Sequence, residues 1–298
     1  MKTVISTSQG IRIGTADEPT PAPGEALVAV RAFSVNRGEL ALLRSRTSNW
    51  RPGQDVAGVV LEAAADGSGP APGTRVTALV EEAGWAERVA VPTDRLAELP
   101  ERVGTEQGAA LPLAGLTALR SLRLGGNLLG RRVLITGASG GVGRFQVELA
   151  AAAGALVTAA ASRGQGLRAL GAQDVVPDPE AATGLFDLVV ESVGGTSLAS
   201  ALRRTAPGAT IVLLGTSSGE KTPIDVYDFI GHEGARIVSY LSYAHPRPPA
   251  DDLRTLTEMV AADRLHPMLG LVEDWTKLND ALAALRGRRI DGKAVLTL

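Results

Sequence analysis

At 298 residues the chain is long for one compact domain and suits two. Its 45% hydrophobic and 21% charged composition is that of a soluble globular protein, and no apolar run reaches the roughly 18 residues that a membrane span needs. A net charge of −2 argues against nucleic acid, and the absence of cysteine excludes disulfides, thiolate nucleophiles, iron–sulfur clusters and cysteine-containing zinc sites.

The N-terminus has no long apolar segment before a small-residue cleavage site, which predicts a cytoplasmic protein. Residues 1 to about 100 alternate short apolar stretches (Ala26 to Val30, Val56 to Glu62, Arg75 to Val80, Ala86 to Val91) with Pro/Gly-rich turns. That spacing predicts a β-rich barrel or sandwich. Within it, Asn36 to Arg44 has helical spacing. From 105 to 122 the period lengthens, with Ala109, Leu113, Leu116, Leu119 and Leu122 on one helical face. Strands at Arg132 to Thr136, Leu156 to Ala160, Asp174 to Val176, Leu188 to Glu191, Thr210 to Leu214 and Ile237 to Leu241 follow. Helices are predicted to Ala153, to Leu170 and over 196 to 204. This rhythm reads as an α/β, doubly wound parallel sheet. A helix over Asp251 to Ala262 and a closing strand Ala294 to Leu298 return to the shorter style. The predicted domains are therefore 1–113, completed by 264–298, and 114–263.

The chemistry lies first in Gly137-Ala138-Ser139-Gly140-Gly141-Val142-Gly143, which the buried strand Val133-Leu134-Ile135-Thr136 enters and a helix leaves. Glycines there allow a tight turn, close approach of backbone to a pyrophosphate, and packing of helix on strand. The helix N-terminus supplies amides and partial positive charge, which makes Ser139, Gly140, Gly141, Val142 and Gly143 candidate dinucleotide ligands. An NAD site usually has an acidic residue at the end of the second strand; this chain has Ser162-Arg163, a hydroxyl and a guanidinium suited to the 2′-phosphate of NADPH, with Arg168 as a secondary candidate. His232, His245 and His266 have no metal-binding spacing, so no metal is expected.

Ser34-Val35-Asn36, Gly53-Gln54-Asp55-Val56-Ala57-Gly58-Val59-Val60, Gly84-Trp85-Ala86-Glu87, Leu113-Ala114-Gly115-Leu116-Thr117-Ala118, the glycine loop, Glu191-Ser192-Val193-Gly194-Gly195 and Gly292-Lys293-Ala294-Val295-Leu296 follow one another in this order. Together they resemble the zinc-free quinone oxidoreductase and enoyl reductase branch of the medium-chain dehydrogenase/reductase superfamily, the zeta-crystallin-like proteins. The resemblance implies a GroES-like domain, a six-stranded Rossmann domain, NADPH as cofactor and a homodimer. It places Thr117, Ser192, Val193, Gly215, Thr216, Ser217, Leu241 and Tyr243 about the cofactor. Plain packing or turn roles serve equally well for Thr117 and for Gly215-Thr216-Ser217.

The chain departs from the family pattern in Asn36-Arg37, where many relatives have Asn-Pro. It also has Trp50 in the segment where some relatives carry a tyrosine proton donor. By the same resemblance Lys293 is a weaker candidate, since a lysine beside a terminal strand is usually solvated. The expected reaction is zinc-independent hydride transfer from NADPH to a quinone or an α,β-unsaturated carbonyl, with Asn36 or Tyr243 as candidate donors to the developing oxyanion. Against these roles, Asn36 also suits a helix cap and Tyr243 a packed aromatic. The competing reading is a catalytically idle NADPH-binding sensor or scaffold on the same fold.

Overall fold

The computed structural model describes residues 1–46 and 49–298. They pack into two compact units, Met1–Leu116 with Pro246–Leu298, and Thr117–His245.

In chain order the first unit contains β1 (Lys2–Thr7), β2 (Gly10–Thr15), β3 (Glu25–Val35), α1 (Arg37–Ser45), β4 (Asp55–Glu62), β5 (Arg75–Leu79), β6 (Arg88–Pro92), β7 (Leu96–Glu98), α2 (Thr105–Ala110) and the start of α3 (Pro112–Arg123). β1 and β2 form an antiparallel hairpin that the predicted elements did not include. The eleven residues of β3 make it the centre of the main sheet, pairing with β4 on one side and with both β6 and the C-terminal strand on the other. Phe33, Trp85, Val28, Val56 and Val76 fill the interior, with the Phe33 and Trp85 rings stacked at 5.6 Å. The single helix expected over 105–122 is two, because Pro112 has no N–H to continue α2 and instead starts α3.

The second unit contains the rest of α3, then β8 (Arg132–Thr136), α4 (Gly141–Ala152), β9 (Leu156–Ala160), β10 (Asp174–Val176), β11 (Phe186–Glu191), α5 (Thr196–Leu202), β12 (Thr205–Leu213) and β13 (Arg236–Ser239). Its six strands are parallel in the order β10-β9-β8-β11-β12-β13, so the order reverses between β8 and β11. The helix expected to end at Leu170 is a run of turns. Gly164, Gly166 and Gly171 interrupt it, the last two at φ +78 and +99.

The chain then returns to the first unit through α6 (Ala250–Ala261), β14 (Leu269–Asp274), α7 (Leu278–Arg286) and β15 (Lys293–Thr297). This return lies at Pro246, earlier than the expected 264. The reason is α6, whose Leu253 and Leu256 are buried; Leu256 packs over Gly115, and Val260 adds to the cluster of Leu99, Val103 and Ala109. Among the described residues no helix is long and apolar enough to cross a membrane.

Candidate functional site

In the second unit the candidate loops after β8, β9, β11 and β12 leave from the carboxyl ends of the strands, because in a parallel sheet every loop that follows a strand leaves from the same end. The loop after β8 and the loop after β11 meet at the reversal of strand order. Ser192 Oγ donates to the Thr136 carbonyl at 3.0 Å, and the Thr136 hydroxyl accepts from the Ser192 N–H and donates to Glu191 Oε1, each at 3.0 Å. Glu191 is fully buried and also accepts from the amides of Val193 and Gly194 and from the Ser197 hydroxyl. It therefore fixes the second loop from within. Ser217 and Ser218 donate their amides to the carbonyls of Ser192 and Val193, which joins the 215–217 segment to the same group.

The glycine loop itself shows three separate geometries. Gly137 sits at φ +61, where a side chain would also meet Ser192 Oγ at 2.6 Å. A Cβ at Gly143 would lie 2.5 Å from the Gly137 carbonyl oxygen and 2.6 Å from Ala138 Cα, so this glycine lets α4 approach β8. A Cβ at Gly140 would meet only the Gly137 carbonyl oxygen, at 3.3 Å, and otherwise open space. An open face on Gly140 beside the first amides of α4, which have no intrahelical partner, fits a pyrophosphate.

After β9, Ser162 and Arg163 are exposed. Arg168 is engaged elsewhere: it donates to the Gln173 carbonyl and pairs with Asp174 at 3.8 Å. Thr117 is buried on α3; Leu241 is half exposed; Tyr243 is 83% exposed on a short 3-10 turn after β13, so within its own unit it is no packed aromatic.

The first unit holds a second cluster, around Asn36. Asn36 is 8% exposed and is the N-cap of α1. Its backbone N–H donates to Glu39 Oε2 at 2.8 Å, as in a capping box, but its side chain turns elsewhere. Asn36 Nδ2 donates to Asp55 Oδ2 at 2.8 Å and Asn36 Oδ1 accepts from Lys293 Nζ at 2.5 Å. Since an ammonium only donates and a carboxylate only accepts, the pair fixes which way the amide faces and leaves one Asn36 N–H uncommitted.

Lys293 is 4% exposed and pairs with Asp55 at 3.2 Å, so it is a buried cation and not the solvated lysine that its sequence position implied. Asp55 also accepts from the Ser34 hydroxyl at 2.5 Å and, through Oδ1, from the Leu113 amide in the first turn of α3 at 2.7 Å. One carboxylate thus ties together β3, α1, α3 and β15.

Trp50, buried, donates its indole N–H to Glu82 at 2.7 Å with the Arg46 guanidinium over its ring. It supplies no proton of the kind a tyrosine would. Between Asn36 and Trp50, Thr47 and Ser48 lie outside the described residues.

Burial, and next the charge of Asp55, push the Glu39 carboxyl up to about 8 from an ordinary 4.5, against the lowering influence of two backbone donors and Lys293. The unfolded chain releases this proton near pH 4.5 and the folded protein near 8. Folding therefore takes up a proton across that window, and stability is greatest below it and falls as pH rises through it. The expected slope is up to about 1.4 kcal/mol per pH unit. Glu39→Gln should flatten that decline relative to wild type, read by urea unfolding from pH 4.5 to 8.5; parallel profiles would show that Glu39 stays ionised.

Asp55, Glu191 and Lys293 lie in the motifs that carry the family resemblance, but neither Asp55 nor Glu191 was given a site role there; Glu39 was not singled out, though the Asn-x-x-Glu spacing of a capping box marks it. Among the described residues no group of three or more His, Asp or Glu side chains could hold a metal ion, and the buried Asp55 carboxylate is paired with the Lys293 ammonium. Zinc does not fit this cluster.

Residues 22–101 match the alcohol dehydrogenase GroES-like domain and residues 141–262 match the zinc-binding dehydrogenase family. A spectinabilin polyketide synthase system protein of Streptomyces orinoci is 36% identical over 93% of this chain, which spans 13% of that protein. A putative quinone oxidoreductase of Bacillus subtilis is 31% identical over 62% of this chain and 61% of its own length. The chain thus spans less than two thirds of either relative. Two solved structures share the fold: a Coxiella burnetii quinone oxidoreductase (TM-score 0.86, 23% identity, 100% of this chain and 99% of that one) and a mycobacterial protein complexed with NADPH (TM-score 0.89, 21% identity, 100% of both). The first match falls on the β-rich unit and the second runs from α4 of the parallel-sheet unit through α6, and the chain belongs to the medium-chain dehydrogenase/reductase superfamily.

Proposed function

We propose that the protein is a zinc-independent, NADPH-dependent reductase of quinones or α,β-unsaturated carbonyl compounds. The observation that carries this reading is the glycine loop at the reversal of strand order, with open space on the Cβ side of Gly140 and Ser192 against Thr136 and Gly137. Ser139 to Gly143 would hold the pyrophosphate, and Ser162 and Arg163 the 2′-phosphate. Ser192, Val193, Gly215 to Ser217, Thr117 and Leu241 would border the rest. Bound NADPH would supply a hydride. The chain's own contribution is to orient the acceptor and steady the charge that appears on its oxygen. Asn36 suits this role: Lys293 and Asp55 hold its amide in one orientation, and its remaining N–H can donate to an enolate or hydroquinone oxygen. The proton that completes the reduction comes from water in this scheme. Tyr243, exposed as it is, is the alternative donor.

The relation to a polyketide synthase protein favours an unsaturated acyl substrate, and the relation to a putative quinone oxidoreductase favours a quinone. Both accept hydride at a carbon conjugated to a carbonyl. The test is NADPH oxidation with a panel of small quinones, enones and enoyl thioesters. Turnover is expected with at least one class; tight NADPH binding with no turnover across the panel would support the idle sensor instead.

The homodimer and the cytoplasmic location belong to the same proposal. β13 closes the sheet at one edge, and Val226, Tyr227 and Ile230, just before it, are all exposed. An apolar patch beside a sheet edge suits a second copy related by a twofold axis. The double substitution Val226→Glu and Ile230→Glu should then convert a dimer to a monomer in light scattering after size exclusion; an unchanged mass would place the interface elsewhere.

A further inference from the structure

Arg144 lies in the first turns of α4 and is only 6% exposed, a rare burial for a guanidinium. Its Nε donates to the Ser139 carbonyl in the glycine loop at 3.3 Å, and its Nη2 donates to the Gln165 carbonyl in the turn after β9 at 2.9 Å. A Cβ at Gly166 would come within 3.4 Å of its Nη1, so the turn lies directly on the guanidinium. One planar cation therefore bridges the glycine loop and the turn that carries Ser162 and Arg163.

Gly164 and Gly166 flank Gln165, the latter at φ +78, and most of residues 162–169 are exposed, with Leu167 as the buried anchor. Two glycines leave the backbone many conformations, and a rigid guanidinium fork selects one.

We propose that Arg144 is a positioning residue for cofactor selectivity: it fixes the Ser162–Gln165 turn against the glycine loop so that Arg163 meets the 2′-phosphate of NADPH. This inference rests on the dinucleotide reading above. The role is indirect, since the guanidinium acts through two backbone carbonyls.

The test is the affinity for NADPH and for NADH, by fluorescence titration, of the wild type, Arg144→Met, Arg144→Lys, Arg163→Ala and the Arg144→Met/Arg163→Ala double variant. The wild type should prefer NADPH. Arg144→Met should weaken NADPH about tenfold and leave NADH within about twofold, as should Arg163→Ala. The double variant should be no weaker than either single within about twofold, because both act through one turn. Arg144→Lys keeps the charge without the fork and should also lose selectivity; it carries the test should the methionine variant not fold.

Equal loss of both nucleotides, additive effects of the two sites, or full selectivity in the lysine variant would each overturn the positioning role. A wild type that binds both nucleotides alike overturns the selectivity alone. One that binds neither overturns the dinucleotide reading and this role with it.

Discussion

Gly143→Ala should lose NADPH binding by about a hundredfold or more and lower stability by about 1–3 kcal/mol. The added methyl carbon would stand 2.5 Å from the Gly137 carbonyl oxygen, 2.6 Å from Ala138 Cα and 2.9 Å from the Ala138 carbonyl carbon. All three are backbone atoms in a tight turn, so no side chain can swing aside. Relief requires α4 to move off β8, which displaces the very amides that face the pyrophosphate. Gly140→Ala is the informative contrast. Its backbone lies at φ −75 and ψ 171, where alanine is at ease, and its methyl carbon would meet one atom, at 3.3 Å. Its stability should stay within about 0.5 kcal/mol of wild type while NADPH affinity falls at least about tenfold, because the methyl occupies the ligand's place. Thermal unfolding and nucleotide titration on the two variants separate the two outcomes. If Gly140→Ala bound NADPH normally, the open face of the loop would not be a phosphate site.

This difference between two neighbouring glycines marks what a sequence can and cannot disclose. The loop was legible because glycine at 137, 140 and 143 answers local geometry, and the strand before and helix after stand within about ten residues. The parallel sheet was legible for the same reason, each strand being a short apolar run between turns. What failed locally failed through punctuation: Pro112 divides a helix whose apolar period runs through it, and Gly164, Gly166 and Gly171 dissolve one after β9. The Asn36 cluster was hidden for a different reason. Lys293 meets Asn36 across 257 positions of sequence, and Asp55 meets Leu113 across 58. In the chain each is a polar residue beside an apolar strand, indistinguishable from a solvated one. Antiparallel pairing of β3 with β4 and with β15 is what brings Ser34, Asp55 and Lys293 to one place.

That convergence makes Lys293→Met the other large effect. The side chain is close in length, so the change removes a charge more than a volume. It leaves the fully buried Asp55 carboxylate without its cation and Asn36 Oδ1 without a donor. Breaking a buried pair from one side costs about 3–5 kcal/mol. The lower end is expected here, because Ser34, Asn36 and the Leu113 amide still donate to Asp55. The double variant Lys293→Met with Asp55→Asn removes both charges and should recover part of the loss, giving a coupling well above the scatter of independent sites. On the proposed reaction the single variant has a second signature. Asn36 loses the contact that sets its amide, so kcat should fall while the affinity for NADPH, held in the other unit, stays within about twofold. Loss of stability with kcat unchanged would make the cluster a structural pin between β3, β4, β15 and α3, and would remove Asn36 from the chemistry. A fall in kcat that Lys293→Arg repairs would instead tie the reaction to the cation that holds Asn36 in place.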